Sequence, residues 1–153
     1  MAIVVSDTGP LLALAQAGVL SVLHELFGKV HLPTAVWREC QIKQGTDSQQ
    51  IQQAQAAGWL VITPVTRRHA FPLSLGDGEA EAMQLALDTA STLLILDDQL
   101  ARREAIRLGL NFIGTVKVLS LAEQRGLIAS AKYIIEKMRS NGYRISADFL
   151  KYC

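Results

Sequence analysis

Apolar and polar positions along the chain alternate between two periods. Short aliphatic or β-branched runs stand at 3–5 (Ile-Val-Val), 30–32 (Val-His-Leu), 59–63, 93–96 and 111–113, each too short for a helix. Between them lie longer stretches whose apolar positions recur three and four residues apart, the spacing of one helical face. This pattern predicts helices over 10–17, 19–27, 34–44, 47–57, 79–90, 100–108, 117–124, 130–140 and 146–152. Pro10 suits a first helical turn, and Gly18, Gly28, Gly58 and Gly109 stand where helices should stop. Residues 66–75, with Arg67, Arg68, His69 and Pro72, read as loop. Strands joined by helical connections too long for hairpins imply a parallel sheet wrapped by helices. The expected fold is α/β: a three-layer α/β/α arrangement around a central parallel sheet of four to five strands, with a helical C-terminal tail. With no internal repeat and no linker, residues 1–153 read as a single domain.

Composition narrows the setting. Half of the residues are hydrophobic, which argues against disorder. No apolar run reaches the roughly 18 residues that span a bilayer, so no membrane partner is expected. The start, Met-Ala-Ile-Val-Val-Ser-Asp, lacks the basic n-region of a signal peptide. Cys40 and Cys153 have no neighbouring Cys or paired His, against a zinc site or a disulfide framework; a reducing, cytoplasmic setting is expected. The net charge of +1 announces no global affinity for nucleic acid. From Leu127 onward, however, Lys132, Lys137, Arg139, Arg144 and Lys151 face only Glu136 and Asp148. That surplus is either a solvated helical face or a local phosphate-binding surface.

The chemistry lies in the acids. Asp7 directly follows the first strand, and Asp97-Asp98 end the run 93–96. In open parallel sheets ligands bind at the carboxyl ends of the strands. On the helix 79–90, Ala82, Met83, Ala86, Leu87 and Ala90 fall within about 80° of Glu79, which puts that glutamate on the sheet-facing side. Glu81, rotated by about 200°, is expected to face water with Gln84 and Asp88. Glu39 lies along Ala35, Val36, Ile42 and Lys43, and Lys43 offers it an ordinary ion-pair partner. Asp98 reads equally well as the N-cap of the next helix. Arg102, one turn on, suits an Asp98–Arg102 pair, either a surface ion pair or an arginine that orients an acid or touches substrate phosphate. Crowded carboxylates repel, and a hard divalent cation resolves the conflict; oxygen-only ligands select Mg²⁺ or Mn²⁺ over zinc. Such sites activate water in phosphodiester cleavage. His24, His31 and His69 are isolated and read as packing or surface residues.

The segments VVSDTGPLLALA, LPTAVWREC, GDGEAEAMQLAL, LLILDDQLARREAIRLGL and FIGTVKVLSLAEQRGLI together resemble those of PIN-domain proteins, over nearly the whole chain. That family, which includes VapC-type toxins of toxin–antitoxin systems, consists of Mg²⁺/Mn²⁺-dependent nucleases. The patterns G-x-G-E-x-E-A and D-D-x-x-A-R are closer to an uncharacterised PIN-like subgroup than to the typical toxins. The resemblance implies that Asp7, Glu39, Glu79 and Asp97 form the catalytic acidic quartet. Asp98 rivals Asp97 for the last place, and Asp7, Glu79, Asp97 and Asp98 are the implied metal ligands. Thr8 and Thr115 match hydroxyls near the site in relatives and, with Arg102, are the expected substrate contacts. The chain departs from the family in carrying Glu79 where Asp is usual and in doubling Asp97-Asp98.

Three functions compete on these grounds. A metal-dependent endoribonuclease, the toxin of a type II toxin–antitoxin pair, has RNA as substrate and a small antitoxin protein as partner. A PIN-like nucleic-acid or protein binding module keeps the acids without cleaving. A generic small-phosphoester hydrolase is disfavoured by a short chain with no room for a cap domain. The apolar stretch 19–27 adds the expectation of a homodimer.

Overall fold

In a computed structural model of the chain, the described residues are 3–42, 44–89 and 92–143. Strands β1 (Ile3–Ser6), β2 (Val30–Leu32), β3 (Leu60–Ile62), β4 (Thr92–Ile95) and β5 (Asn111–Ile113) form one sheet in the order β3-β2-β1-β4-β5. Every pairing is parallel. The described helices are α1 (Thr8–Gln16), α2 (Val22–Phe27), α3 (Thr34–Gln41), α4 (Thr46–Ala56), α5 (Asp77–Asp88), α6 (Gln99–Arg107), α7 (Thr115–Gln124) and α8 (Ala131–Ser140). The three-layer α/β/α fold expected from the hydrophobic pattern is the one observed, with five strands in the sheet.

Strand periodicity divides the core in two. Along β1 and the end of β4, Val4 and Ile95 turn toward α1, α2, α4, α7 and α8, where Leu11, Leu14, Leu23, Ile51, Leu119 and Ile135 are fully buried. Val5, Leu94 and Leu96 turn the other way, against Ala82, Met83 and Leu85 of α5 and Ala101 and Ala105 of α6. Both faces of the central strands are covered, so they read as continuous apolar runs. Chain order places β1 beside β4, with Ser6 opposite Ile95. The sheet therefore changes direction of winding between them, and their carboxyl ends form the crevice where such folds bind ligands.

Several boundaries and faces differ from expectation, each for a physical reason. Helix α1 starts at Thr8, two residues before Pro10. Proline is tolerated there because first-turn N–H groups have no intrahelical acceptor. Helix α3 ends at Gln41, and Lys43, the suggested partner of Glu39, lies outside the described residues. The expected helix over 146–152, with Arg144, Lys151 and Cys153, also lies outside them. The apolar side chains of 19–27 turn inward: Leu20, Val22 and Leu23 are buried, and Val19, Leu26 and Phe27 pack against the same cluster. Much of that stretch therefore serves the protein's own core, with Val19, Leu26 and Phe27 only partly buried.

Helix α5 is the largest correction. A one-sided helix would expose Gln84, yet Gln84 is buried and Leu87 is exposed. The reason is that α5 has neighbours on three sides: the sheet, α3, and the fourteen-residue segment 63–76 joining β3 to α5. Val65, Phe71 and Leu75 of that segment pack onto the α5–α6 cluster. Gln84 Oε1 accepts hydrogen bonds from the backbone N–H groups of Arg68 (3.0 Å) and His69 (2.9 Å). Glu81 does not face open water either. Its Oε1 accepts from Ala35 N–H at 3.0 Å in the first turn of α3, and Arg67 lies 3.6 Å from its Oε2. The loop arginines are likewise engaged, Arg67 with Asp77 at 2.8 Å and Arg68 with Asp88.

Gln84→Ala should strip the buried acceptor from two backbone donors at once. The expected cost is about 1–3 kcal/mol in denaturant unfolding, with faster proteolytic nicking inside 63–76. Unchanged stability and unchanged nicking would show that water replaces the side chain without loss.

Candidate active site

The site is built mostly at element ends, with Glu39 reaching in from the body of α3. Asp7 is the residue after β1; its backbone N–H continues the ladder to Ile95 O at 3.0 Å, and it stands at the N-cap of α1. Its side chain caps no helix N–H through the usual geometry and is 6 % exposed. One oxygen, Oδ1, is buried with no hydrogen-bond partner. Burial, opposed by the Thr8 backbone N–H and reinforced by the charges of Glu79, Glu39 and Asp97, pushes the Asp7 carboxyl up to about 7. An acid kept from ionising chiefly by burial, and further by the charge of its neighbours, is how active sites tune carboxylates.

Glu39 reaches the same place from α3. Thr8 Oγ1 donates to its Oε1 at 2.5 Å, and Gly78 N–H donates to its Oε2 at 3.0 Å. A Cβ at Gly78 would crowd Glu39 Oε1 and stand 2.9 Å from its Cδ, so a larger residue there would push the carboxylate out of this position. Glu79 occupies the third position of α5 and turns back so that its Oε1 accepts from Gly76 N–H at 3.0 Å. Half of a capping box results. Burial raises the Glu79 carboxyl above its ordinary value, aided by Asp98 and Glu39 and opposed by the Gly76 N–H.

Asp97 and Asp98 divide the roles that the sequence left open between them. Asp98 is exposed and caps α6, its Oδ2 accepting from Ala101 N–H at 2.9 Å, while its charge acts on Glu79. Asp97 turns to α7: Thr115 N–H donates to Oδ1 at 2.8 Å and Thr115 Oγ1 to Oδ2 at 2.5 Å. Arg102 pairs with Asp97 at 3.6 Å and not with Asp98. Its Nε–H donates to Leu96 O at 3.0 Å and its guanidinium lies over the Phe112 ring, 5.3 Å from the centroid. These two anchors, Leu96 O and the Phe112 ring, hold the guanidinium on the Asp97 side of the pair.

The expected acids Asp7, Glu39, Glu79 and Asp97 are thus neighbours, coupled through Asp7, with Asp98 beside Glu79. Thr8 and Thr115 are near the acids as expected, each donating to one of them. Tyr143 was missed. Its hydroxyl donates to Asp97 Oδ2 and lies 3.5 Å from Thr115 Oγ1. Burial, with Asp97 close by, pushes this phenol above its ordinary value, so it remains a donor. Nothing in the local sequence signals a site residue 46 positions from its partner. Cys40, beneath Glu39, is inert: burial and the nearby acids push its thiol up to about 12. The histidines behave as packing residues: His24 stacks on Trp59 and His31 Nδ1 meets Thr63 Oγ1 at 3.0 Å.

A divalent cation suits this donor set. The ligands on offer are all carboxylate oxygens, one of them is buried and unpartnered, and their mutual repulsion disappears when a double positive charge is shared. Among the described residues, no three His, Cys, Asp or Glu side chains already close on a single cation position. Glu39, Glu79, Asp97 and Asp98 are each turned toward a protein N–H or hydroxyl. No described helix is long and apolar enough to cross a membrane.

Compared with known proteins, residues 3–152 match a family model described as a PIN domain. Comparison with curated proteins gives no match.

The raised Asp7 carboxyl makes stability pH-dependent. Below its unfolded value of 3.8 the group is protonated in both folded and unfolded chains. Between there and about 7 the unfolded chain releases the proton while the folded chain keeps it, so stability of the cation-free protein falls as pH rises through that window. The loss is on the order of 4 kcal/mol at neutral pH. Asp7→Asn should therefore melt roughly 8–16 °C above the wild type in EDTA at neutral pH, and the gap should close at about pH 4. Parallel melting curves for the two proteins across that range would refute the assignment of Asp7 as a strained acid.

Proposed function

The chain belongs to the PIN-domain family, and from that premise and its acid cluster we propose that it is a metal-dependent endoribonuclease that hydrolyses RNA phosphodiester bonds. PIN domains are generally nucleases that use divalent metals, and the family implies nucleic-acid binding. The observation that carries the reading is Asp7: a buried carboxylate with an unpartnered oxygen, ringed by Glu39, Glu79 and Asp97 at the strand-end crevice. A buried, repelled acid is destabilising by itself, and its retention is explained by a task.

Asp7, Glu39, Glu79 and Asp97 would hold Mg²⁺ or Mn²⁺, with Asp98 next to Glu79. The bound ion would offset their charge, polarise the phosphodiester and supply an activated water. The chain's own groups do the rest. Thr8 and Thr115 fix the orientations of Glu39 and Asp97 through their hydroxyls. Arg102 is anchored at Leu96 O, stacked on Phe112 and one-third exposed, so its remaining N–H groups can meet a phosphate oxygen beside Asp97. Lys132 and Lys137 of α8 are exposed and would add phosphate contacts farther out.

The physiological part of the reading is that of a toxin neutralised by a small antitoxin in a reducing cytoplasm, acting as a homodimer. Its support is the family and the free, buried Cys40. A second reading, a PIN-fold binding module that does not cleave, draws on one observation: Glu39, Glu79 and Asp97 already accept hydrogen bonds from the protein.

Purified protein should cleave single-stranded RNA with Mn²⁺ and lose that activity in EDTA. Glu79→Gln should abolish cleavage. Glu81→Gln, which keeps the acceptor for Ala35 N–H, should stay within about threefold of wild-type activity and cost about 1 kcal/mol of stability. Cleavage that survives EDTA, or a silent Glu79→Gln beside a dead Glu81→Gln, would overturn the reading. A wild type that binds RNA and never cuts it under these conditions would favour the binding module.

A further inference from the structure

Asp97 is held by more donors than its neighbours, and one of them comes from far along the chain. Thr115 supplies two, its N–H to Oδ1 and its hydroxyl to Oδ2, and Arg102 lies near Oδ1. The Tyr143 hydroxyl supplies another to Oδ2. A carboxylate offers about four acceptor positions, so these groups fix both the direction and the plane of this one. Rotation about a carboxylate's last torsion is otherwise broad; Thr115 grips both oxygens from the α7 side, and Tyr143 adds a second hydroxyl to Oδ2 from the end of α8.

The delivery of Tyr143 is built into the end of α8. Gly142 takes a left-handed conformation, with φ of +92°, just past the helix. Its N–H bonds Arg139 O at 3.0 Å, and Tyr143 N–H bonds back to Met138 O at 3.0 Å. These two bonds make a Schellman end, which sends the following residue off the helix in one defined direction. The tyrosine ring then packs against the larger core cluster while the hydroxyl emerges beside Asp97, near Gly9 of α1. A phenylalanine would fill the same apolar space. The hydroxyl serves the acid, not the packing.

We propose that Tyr143 is a positioning residue for the acid cluster, holding Asp97 in the orientation in which it joins Asp7, Glu39 and Glu79 in binding a divalent cation. The inference rests on the nuclease reading above. Groups that hydrogen-bond a metal-ligating carboxylate orient it, and their loss typically weakens metal binding by 10–100-fold.

Mn²⁺ titration calorimetry on the full chain separates the possibilities. Tyr143→Phe keeps the ring and removes the hydroxyl. Its melting temperature should stay within about 2 °C of the wild type, while its Mn²⁺ affinity falls at least about tenfold. Cleavage should recover toward the wild-type kcat when Mn²⁺ is raised to saturation, which a damaged core would not allow. Gly142→Ala, which strains the left-handed residue and displaces Tyr143 without altering it, should weaken Mn²⁺ binding in the same direction. Wild-type affinity in both variants, beside normal Mn²⁺ binding by the wild type, overturns the role of Tyr143 and leaves the nuclease reading intact. Tighter binding by Tyr143→Phe also overturns it, since the hydroxyl would then be competing with the cation for Asp97. A wild type that neither binds Mn²⁺ nor cleaves RNA sinks the nuclease reading and this inference with it.

Discussion

Mutual repulsion of carboxylates at one end of the sheet is the constraint to which the rest of the structure answers. Asp7, Glu39, Glu79, Asp97 and Asp98 are brought to the carboxyl edge of β1 and β4, where Asp7 is buried. The fold offsets this charge with its own backbone. Strand ends in a parallel α/β sheet lead into helix starts, and helix starts carry unpaired N–H groups and the positive end of the helix dipole. Asp7 stands at the start of α1, Asp98 caps α6, and Asp97 accepts from the first N–H of α7. Glu39 accepts from Gly78 in the first turn of α5, the turn that also holds Glu79. Each contact contributes only tenths of a kcal/mol to about 1 kcal/mol, but four helix starts serve the same group of acids. The topology that creates the crevice also makes it tolerable for acids.

Compensation is incomplete at one atom. Glu39 and Asp97 each have hydroxyl and N–H donors, and Glu79 has an N–H; Asp7 keeps a buried oxygen with nothing opposite it. A protein selected for stability alone would exchange that residue for an apolar one of similar size, because an unpaired buried acid costs more than it returns. The imbalance falls at the centre of the cluster and not at its rim, which is where a shared cation would remove the most repulsion.

Much of this was legible in the sequence, because strand and helix periods alternate cleanly and Asp7, Glu79 and Asp97 sit next to period changes, while Glu39 lies within its helix. Asp7 and Asp97 follow apolar runs, and Glu79 follows Gly76-Asp77-Gly78, so their placement at chain ends needed no tertiary information. What failed was the assumption that a helix has one buried face. Wheel geometry set Glu79 and Glu81 on opposite sides of the helix, yet it could not know that 63–76 would fold over α5 and bury Gln84, or that α3 would present Ala35 N–H to Glu81. Arg102 shows the same limit. Spacing favoured Asp98, whereas the arginine's anchors at Leu96 O and the Phe112 ring set it beside Asp97. Tyr143 lay beyond reach altogether, since its role depends on how α8 packs on α7 and on one left-handed glycine.

The same packing decides how a polyanion can approach. Arg67 and Arg68 look in sequence like a basic loop, but both are neutralised by acids of α5, where they fasten the long segment to the helix. Arg102 remains beside the acids, and even it is shared with Asp97. With a net charge of +1 the chain as a whole exerts little long-range pull on RNA. A phosphate entering the crevice would therefore meet a surplus of negative charge unless a divalent cation had entered first. In the nuclease reading the cation is then needed for substrate binding as well as for chemistry, because the fold spends its nearby arginines on structure and leaves the acids to recruit their own counter-charge.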